Sequence, residues 1–563
     1  MPTRRCPAWT GILGMALLCV ALRLPGVSRP LVGNFATKSA TYAMIARNWA
    51  LGRAPIWRPT TDCMAGGDRG WHLLEVPVAA YVAGAGWALC GGSLDVWGRA
   101  ISIAFSMASV VLIFLLVSRW HNRSAAYAAA LTLAWSPVAI IFGQSFMLEA
   151  SVVCLTLLTL LALELFLANK RSAWLLVAAA SFALLTLTKI YMLVLLLPLA
   201  AMAWRWRPTG DNNSQLSRDG HPPTRSVSEA YSLSFLAHAS GWCDSLSLLA
   251  YASGWCDSLS LLACASGWCR MTHCPRLHRM ALTVGVMMLA SLPAVAWCLA
   301  AMHTARPDHP QSVHVFDSLY RSTSVHAWPP PLLTSGGFYL RLIFNLAVFG
   351  VAPFAVPLAV IGLMSHAGRR HRAWLAAMLV LVAALPAKFH ELQYYTLIVV
   401  PPLAVLTGVG WECVRRRLQP PRAVPACCLL AWLAVSMRLA MGPAFTTPVE
   451  DRAVTTAGAA AQSLAAAHEP VATMHGASSD LLYYCDHPGW ALSSNDPRVL
   501  PKLEQCRRQG ARWLVVCDLR SFAGSPCARE LAALPIVRQG DDYRVFCLSE
   551  SRQREVAADQ SRR

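Results

Sequence analysis

What most constrains this chain is a spacing. Apolar runs of about 20 residues, the length an α-helix needs to cross a hydrocarbon core of about 30 Å, recur along most of the sequence. The clearest cover residues 9–27, 97–120, 125–142, 148–168, 280–302, 340–364, 373–387, 397–414 and 424–441. Residues 174–206 are too long for one ordinary helix and are read as two crossings that turn near Lys189. Together these predict a mainly α, polytopic helical membrane protein of about eleven transmembrane helices. Charge agrees: only 14% of the 563 residues are Asp, Glu, Lys or Arg, against about a quarter in soluble domains. The first run is read as a retained helix, because Arg23 interrupts it and no convincing small-residue cleavage site follows.

The net charge of +19 is not one patch but short basic clusters between apolar runs. That is the pattern of a positive-inside bias and excludes nucleic acid as a partner. Arg4 and Arg5 place the N-terminus inside. Residues 73–90 decide the rest of the threading. If they cross, Arg119, His121 and Arg123 face outward. If they lie in the outer interface, those residues and Lys170, Arg171, Arg205, Arg207, Arg369–Arg372 and Arg415–Arg417 all face the cytoplasm. The second threading makes every cluster internal and is adopted. It places Glu149, in FGQSFMLEASVV (142–153), at the outer surface, where a carboxylate avoids the cost of hydrocarbon.

Four parts follow: a membrane core over 1–206 with an outer catalytic loop at 28–96, an insertion over 207–279, further crossings over 280–447, and an external α/β domain over 448–563. The insertion holds a thirteen-residue repeat, SGWCDSLSLLAYA (240–252), SGWCDSLSLLACA (253–265) and a broken SGWC (266–269). So short and near-identical a period points to duplication rather than a solenoid. Cys264, Cys269, His273, Cys274 and His278 imitate a zinc set but lack paired, regular ligand spacing, so no metal is assigned. The nineteen cysteines outline no disulfide framework. In the tail, VATMHG and RWLVVCDL read as strands, 499–509 as a helix and 536–548 as a hairpin.

The outer loop contains NFATKSATYAMIARNWALG (34–52), expected as an amphipathic helix on the membrane, and then TTDCMAGGDRGWHLLEVPVAAY (60–81). With Gly98-Arg99, FGQSFMLEA, HELQYYTLIVVPPLAVLTG (390–408) and DLLYYCDHPGW (480–490), these segments resemble the polytopic C-type glycosyltransferase superfamily, the group of protein O-mannosyltransferases and lipid A aminoarabinose transferases. Arg23-Leu-Pro-Gly is similar to the end of that family's first helix, and LLEVPVAAY (73–81) resembles its acid–proline juxtamembrane helix. The family's Asp-Glu pair of the opening loop falls here on Lys38 and Ser39, so Glu149, Glu75 and Asp62 all stand as candidates for the catalytic acid.

The resemblance implies transfer of a sugar from a polyprenyl-phosphate donor to a lipid, glycan or protein acceptor at the outer face of a bacterial inner (plasma) membrane, among membrane lipids. A carboxylate would deprotonate the acceptor hydroxyl and cations would stabilise the phosphate leaving group. Lys38, Arg47 and Asn48 are the expected phosphate-side residues, and His390, Glu391, Tyr394 and Tyr395 the expected donor or acceptor contacts. Lys189 is read as a snorkelling residue. No cofactor is assigned; a divalent metal fits the chemistry, but no clear ligand set stands out. Two other readings share the membrane pattern. A transporter would bury ionisable residues mid-membrane and repeat its halves. An inactive relative would account for the missing acid pair.

Overall fold

The structure, a computed structural model, describes residues 8–33, 35–65, 68–73, 75–205, 275–304, 331–419, 423–476 and 478–549. The thirteen-residue repeat lies outside them. The first half of the membrane part comprises α1 (Ala8–Ala21), α2 (Ala36–Ala50), α3 (Val78–Cys90), α4 (Leu94–Trp120), α5 (Arg123–Trp135), α6 (Pro137–Phe142), α7 (Glu149–Asn169), α8 (Ser172–Thr188) and α9 (Leu196–Arg205). The second half comprises α10 (Pro275–Thr304), α11 (Gly336–Phe344), α12 (Val356–Met364), α13 (Arg372–Ala384), α14 (Pro386–Glu391), α15 (Thr396–Leu418) and α16 (Ala423–Phe445). The tail adds α17 (Val454–Leu464), α18 (Asp480–Cys485) and α19 (Val499–Arg508).

Among the described residues four helices are long and apolar enough to cross a bilayer: Leu94–Trp120, Glu149–Asn169, Arg276–His303 and Gln393–Leu418. Shorter apolar helices surround them, α3 included. At 13 residues α3 spans about 20 Å, less than a hydrocarbon core.

Two expected continuous runs are broken, each at a proline. Residues 125–142 divide at Ser136, which precedes Pro137 and is held at φ −54°, ψ 124°, because the proline ring disfavours helical geometry in the residue before it. Arg23 repairs the break. It is 1% exposed and donates to the carbonyls of Cys19 and Ala139 at 2.9 Å and of Ala134 at 3.3 Å, placing a cation on helix C-terminal carbonyls. The 340–364 run is not one straight crossing: it bends by 99° between Gly336–Gly350 and Pro353–Met364. A π-helical turn over Asn345–Gly350 and Ala352 at φ 64° before Pro353 make the corner. Close backbone packing then fixes α12 on α15. A Cβ on Gly362 would lie 2.0 Å from the Leu406 carbonyl oxygen, and one on Gly410 would lie 1.8 Å from that of Leu358.

Basic clusters far apart in sequence meet at one end of the bundle. His121 Nε2 lies 2.8 Å from His371 Nε2, and Arg205 donates to the carbonyl of Arg370 at 2.9 Å. Arg370 lies 3.5 Å from Glu164, and the Trp411 indole donates to Ser124 at 3.1 Å.

At the other end sits a seven-stranded sheet, and it is not confined to the tail. Strands β1 (Thr60–Ala65) and β2 (Asp68–Trp71), from the first loop, join β3 (Val471–Met474), β4 (Gly489–Leu492), β5 (Trp513–Cys517), β6 (Ile536–Gln539) and β7 (Tyr543–Cys547) in the order β2-β1-β4-β3-β5-β7-β6. Strands β4, β3 and β5 are parallel, β1 meets β4 at Cys63 and Gly489, and β7 and β6 form an antiparallel edge. The central strands β3 and β5 are buried throughout, as apolar runs covered on both faces must be. Helix α18 clamps this domain to the membrane part. Its Tyr483 and Tyr484 hydroxyls donate to the two oxygens of Asp95 at 2.7 and 2.6 Å, and Tyr484 also accepts from the Leu31 N–H at 2.6 Å.

Candidate functional site

Helix α2 carries the first part of the site, and it corrects the expectation of a helix lying on the membrane. Ser39, Ala40, Tyr42, Ala43, Met44, Ile45, Ala46, Arg47 and Asn48 are all buried, sandwiched against α3, β1 and α18. It starts at Phe35, whose φ of 60° is costly for a bulky side chain. Edge-on contacts with Phe142 and Tyr394, both at 5.3 Å, hold it there. This start sets Lys38 in the first helical turn, pointing at α7.

Lys38 Nζ lies 3.0 Å from Glu149 Oε1 and 4.2 Å above the Tyr394 ring. Glu149 is the first residue of α7 and 1% exposed. The loop before it is fixed by Arg99, which donates to the carbonyls of Arg29, Pro30 and Gln144 at 3.1, 3.0 and 3.4 Å. Gly98 leaves room for the Phe146 ring, 2.1 Å from where a Cβ would stand. Glu75, just before α3, accepts from the Tyr42 hydroxyl and from the Lys189 ammonium. His72 Nε2 is 3.7 Å away. Lys189 also lies 3.9 Å from Glu149. Two lysines and two carboxylates thus interlock at the ends of α2, α3, α7 and α8.

Lys189 is therefore not a snorkelling side chain. It is 5% exposed and buried between the two acids. Burial by itself raises the Glu75 carboxyl, yet Lys189, Lys38 and His72 outweigh it and hold the group well below the usual carboxylate range. Burial likewise opposes a charge on Lys38, but Glu149 and Glu75 more than compensate and raise its ammonium above the ordinary lysine value. Burial lowers Lys388, with the fields of Lys38 and Lys189 adding to the effect, while exposed Glu391 pulls the other way. A third lysine therefore borders the cluster.

The two carboxylates are not equivalent. Glu75 uses both oxygens, whereas Glu149 Oε2 is buried without a hydrogen-bond partner. An anionic oxygen with an open lone pair beside ammonium groups can take up a proton.

The remaining expected residues divide. Tyr394 and Tyr395, both 6% exposed, pack with their rings tilted at 5.0 Å and line the cluster through Lys38 and, via Tyr191 at 5.7 Å, the start of the segment after Lys189. His390 stacks instead on Phe338 at 6.4 Å, and Glu391 is exposed. Asp62, Arg47 and Asn48 belong to a separate network. Asp62 accepts from Arg47 at 2.8 Å and Asn48 at 3.1 Å, with Arg69 at 3.3 Å. Arg47 also reaches Asp486 at 3.0 Å and the Tyr483 carbonyl at 3.1 Å. That network bonds α2 to β1 and to the tail domain.

Sequence reading missed Lys189, Tyr42, His72 and Lys388 as members of the cluster. The available signal was Lys189 itself, an ammonium interrupting a long apolar run, which is costly unless paired. A cavity of ≈ 620 Å³ lies elsewhere, at the opposite end of the bundle, lined among others by Trp120, Glu164, Arg205, Arg370 and His371.

Residues 75–210 match the family model described as dolichyl-phosphate-mannose-protein mannosyltransferase. No curated protein matches the sequence. Among solved structures, the chain is similar to ArnT from Cupriavidus metallidurans bound to undecaprenyl phosphate, with a TM-score of 0.55 and 14% identity, over 96% of this chain and 98% of that one. It is also similar to the apo oligosaccharyltransferase of Archaeoglobus fulgidus, with a TM-score of 0.52 and 12% identity, over 91% and 70% of the two chains. A third likeness is to the arabinofuranosyltransferase AftD from Mycobacteria, with a TM-score of 0.51 and 15% identity, over 96% of this chain and 40% of that one. At such identities the likeness establishes the fold.

Proposed function

The chain carries the fold of the polytopic C-type glycosyltransferase superfamily, and from that premise we propose that it transfers a sugar from a polyprenyl-phosphate donor to a lipid, glycan or protein acceptor. The observation that carries this reading is the buried Lys38–Glu149–Lys189–Glu75 cluster with one oxygen of Glu149 left open. Glu149 is the base. It takes the proton of the acceptor hydroxyl, the acceptor oxygen forms a bond to the anomeric carbon, and the bond from that carbon to the phosphate oxygen breaks. Its electron pair leaves with the polyprenyl phosphate, whose growing charge Lys38 and Lys189 stabilise. Donor binding draws Lys38 towards the phosphate and frees Glu149 to act. Glu75 stays ionised and positions Lys189 and Tyr42. Asp62, bonded to Arg47, Asn48 and Arg69, holds the loop rather than the reacting atoms.

The same reading puts the cluster and the tail domain outside a bacterial inner membrane, with about eleven crossings and the basic end of the bundle in the cytoplasm. The convergence of the basic clusters at the end away from Glu149 supports that placement: Glu164 is fifteen residues along α7 from Glu149, a rise of about 22 Å. Domain limits at 206, 279 and 447 go with it, although the sheet draws 60–71 into the tail's structure. The decisive experiment is transfer from a panel of radiolabelled polyprenyl-phosphate sugars on membranes carrying the wild type or Glu149→Gln. Label transferred equally well by both removes Glu149 from the reaction.

A further inference from the structure

The tail's parallel strands run in the order β4-β3-β5. The chain leaves β3 for β4 on one side through α18, then crosses through α19 to β5 on the other. Strand order therefore reverses between β3 and β5, and in open α/β sheets a ligand crevice opens there, beyond the carboxyl ends of the strands. His475 directly follows β3 and Asp518 directly follows β5. Two further acids converge on this point: Asp451, from the connector after the last membrane helix, and Asp480, which opens α18.

We propose that Asp451, His475 and Asp480 bind one divalent transition-metal cation, zinc by ligand type, which fastens the tail domain at its junction with the membrane part. One ligand atom from each lies within 4.8 Å of the others, and the residues are 9%, 8% and 1% exposed. Asp451 Oδ1 is 2.8 Å from His475 Nε2, and the Asp480 carboxylate accepts the local N–H of Leu481 at 2.8 Å. The other imidazole nitrogen, Nδ1, is buried without a partner. Among the described residues, His475 is the only basic side chain paired with either acid. Two carboxylates thus share one buried site with a single imidazole, an arrangement short of positive charge. A bound cation supplies that charge. An imidazole nitrogen with two carboxylate oxygens suits zinc, with water completing a tetrahedron, better than magnesium or calcium, which prefer all-oxygen sets. Such an ion would tie three segments together, one of them the helix whose Tyr483 and Tyr484 grip Asp95. The site is separate from the lysine–glutamate cluster and its test does not depend on sugar transfer.

Full-length protein in detergent, stripped with a chelator and re-equilibrated with zinc chloride, is assayed for bound metal by mass spectrometry and for Tm. The wild type is expected to hold one zinc more than His475→Gln or Asp480→Asn. Its Tm should rise by several degrees at a hundredfold excess over Kd, with no comparable rise in magnesium. Because cysteines and histidines elsewhere can bind zinc, the difference between proteins is the readout. Should Asp480→Asn fail to fold, Asp451→Asn replaces it. Equal zinc content in the wild type and the folded variants, or no zinc-dependent rise in the wild-type Tm, overturns the proposal.

Discussion

The ammonium of Lys38 lies 3.0 Å from the carboxylate of Glu149, across 111 residues of sequence. Helix α2, started by the strained Phe35, brings one partner, and the loop tied down by Arg99 brings the other. The pair closes off one oxygen of Glu149 and leaves the second open.

Replacing Glu149 by Gln removes charge and basicity at nearly constant shape. Transfer should fall by about 10²–10⁴-fold, the usual cost of losing a general base, while protein level and donor-lipid binding stay near wild type. Single-turnover transfer measured beside donor binding separates the two. Near-normal turnover would return Glu149 to a helix-boundary role.

Lys189→Met leaves Glu75 buried without its cation, a change that typically costs about 3–5 kcal/mol. The double variant Lys189→Met/Glu75→Gln should recover most of that loss, because no charge is then stranded, yet remain poor in transfer. Thermal unfolding in detergent reads the first effect and the transfer assay the second. A single variant as stable as the wild type would mean that Lys189 does not carry the pairing.

Tyr483→Phe and Tyr484→Phe each delete a hydrogen bond to the Asp95 carboxylate, worth about 1.5–3 kcal/mol. Both should loosen the tail domain, so that limited proteolysis cuts the connector over 446–453 faster. The Tyr484 variant should be the weaker, because the Leu31 N–H also loses its acceptor.

Gly410→Val drives a side chain into the Leu358 carbonyl, 1.8 Å from the new Cβ, whereas a Cβ at Gly285 meets nothing within 4 Å. Gly410→Val should therefore destabilise the protein by more than the roughly 1–3 kcal/mol of ordinary overpacking, seen as a lower Tm or lower accumulation in the membrane, and Gly285→Val should change little. Similar behaviour of the two variants would show that α12 and α15 are not held by this close approach.

Single cysteines at Ser478 and at Arg369, in a background with all nineteen native cysteines replaced, should react with an impermeant reagent from opposite sides. Ser478 should label from outside intact cells and Arg369 only after permeabilisation. Labelling of both from one side rules out the threading.

Much of this protein was legible in its sequence, because apolar length and basic clustering are local properties. A run of bilayer length reads as a membrane helix wherever it falls, Glu149 marks a boundary by standing between two such runs, and short apolar runs marked the strands at 471–474 and 513–517. Partnership is not local. Nothing around Lys189 announces Glu75, 114 residues away, so an isolated lysine read as snorkelling until the fold buried it against two acids. Asp62 and Glu75 looked alike as loop acids, and only the assembled fold gave one a loop-binding network with Arg47 and Asn48 and the other the Lys189 ammonium and the Tyr42 hydroxyl. Helix α2 read as interfacial because its composition is mixed. Its polar residues are buried by bonds to segments that only the assembled fold brings near. Periodicity specifies which face of an element is apolar, while what that face meets is a long-range outcome of folding, and in this chain the candidate chemistry depends on that outcome.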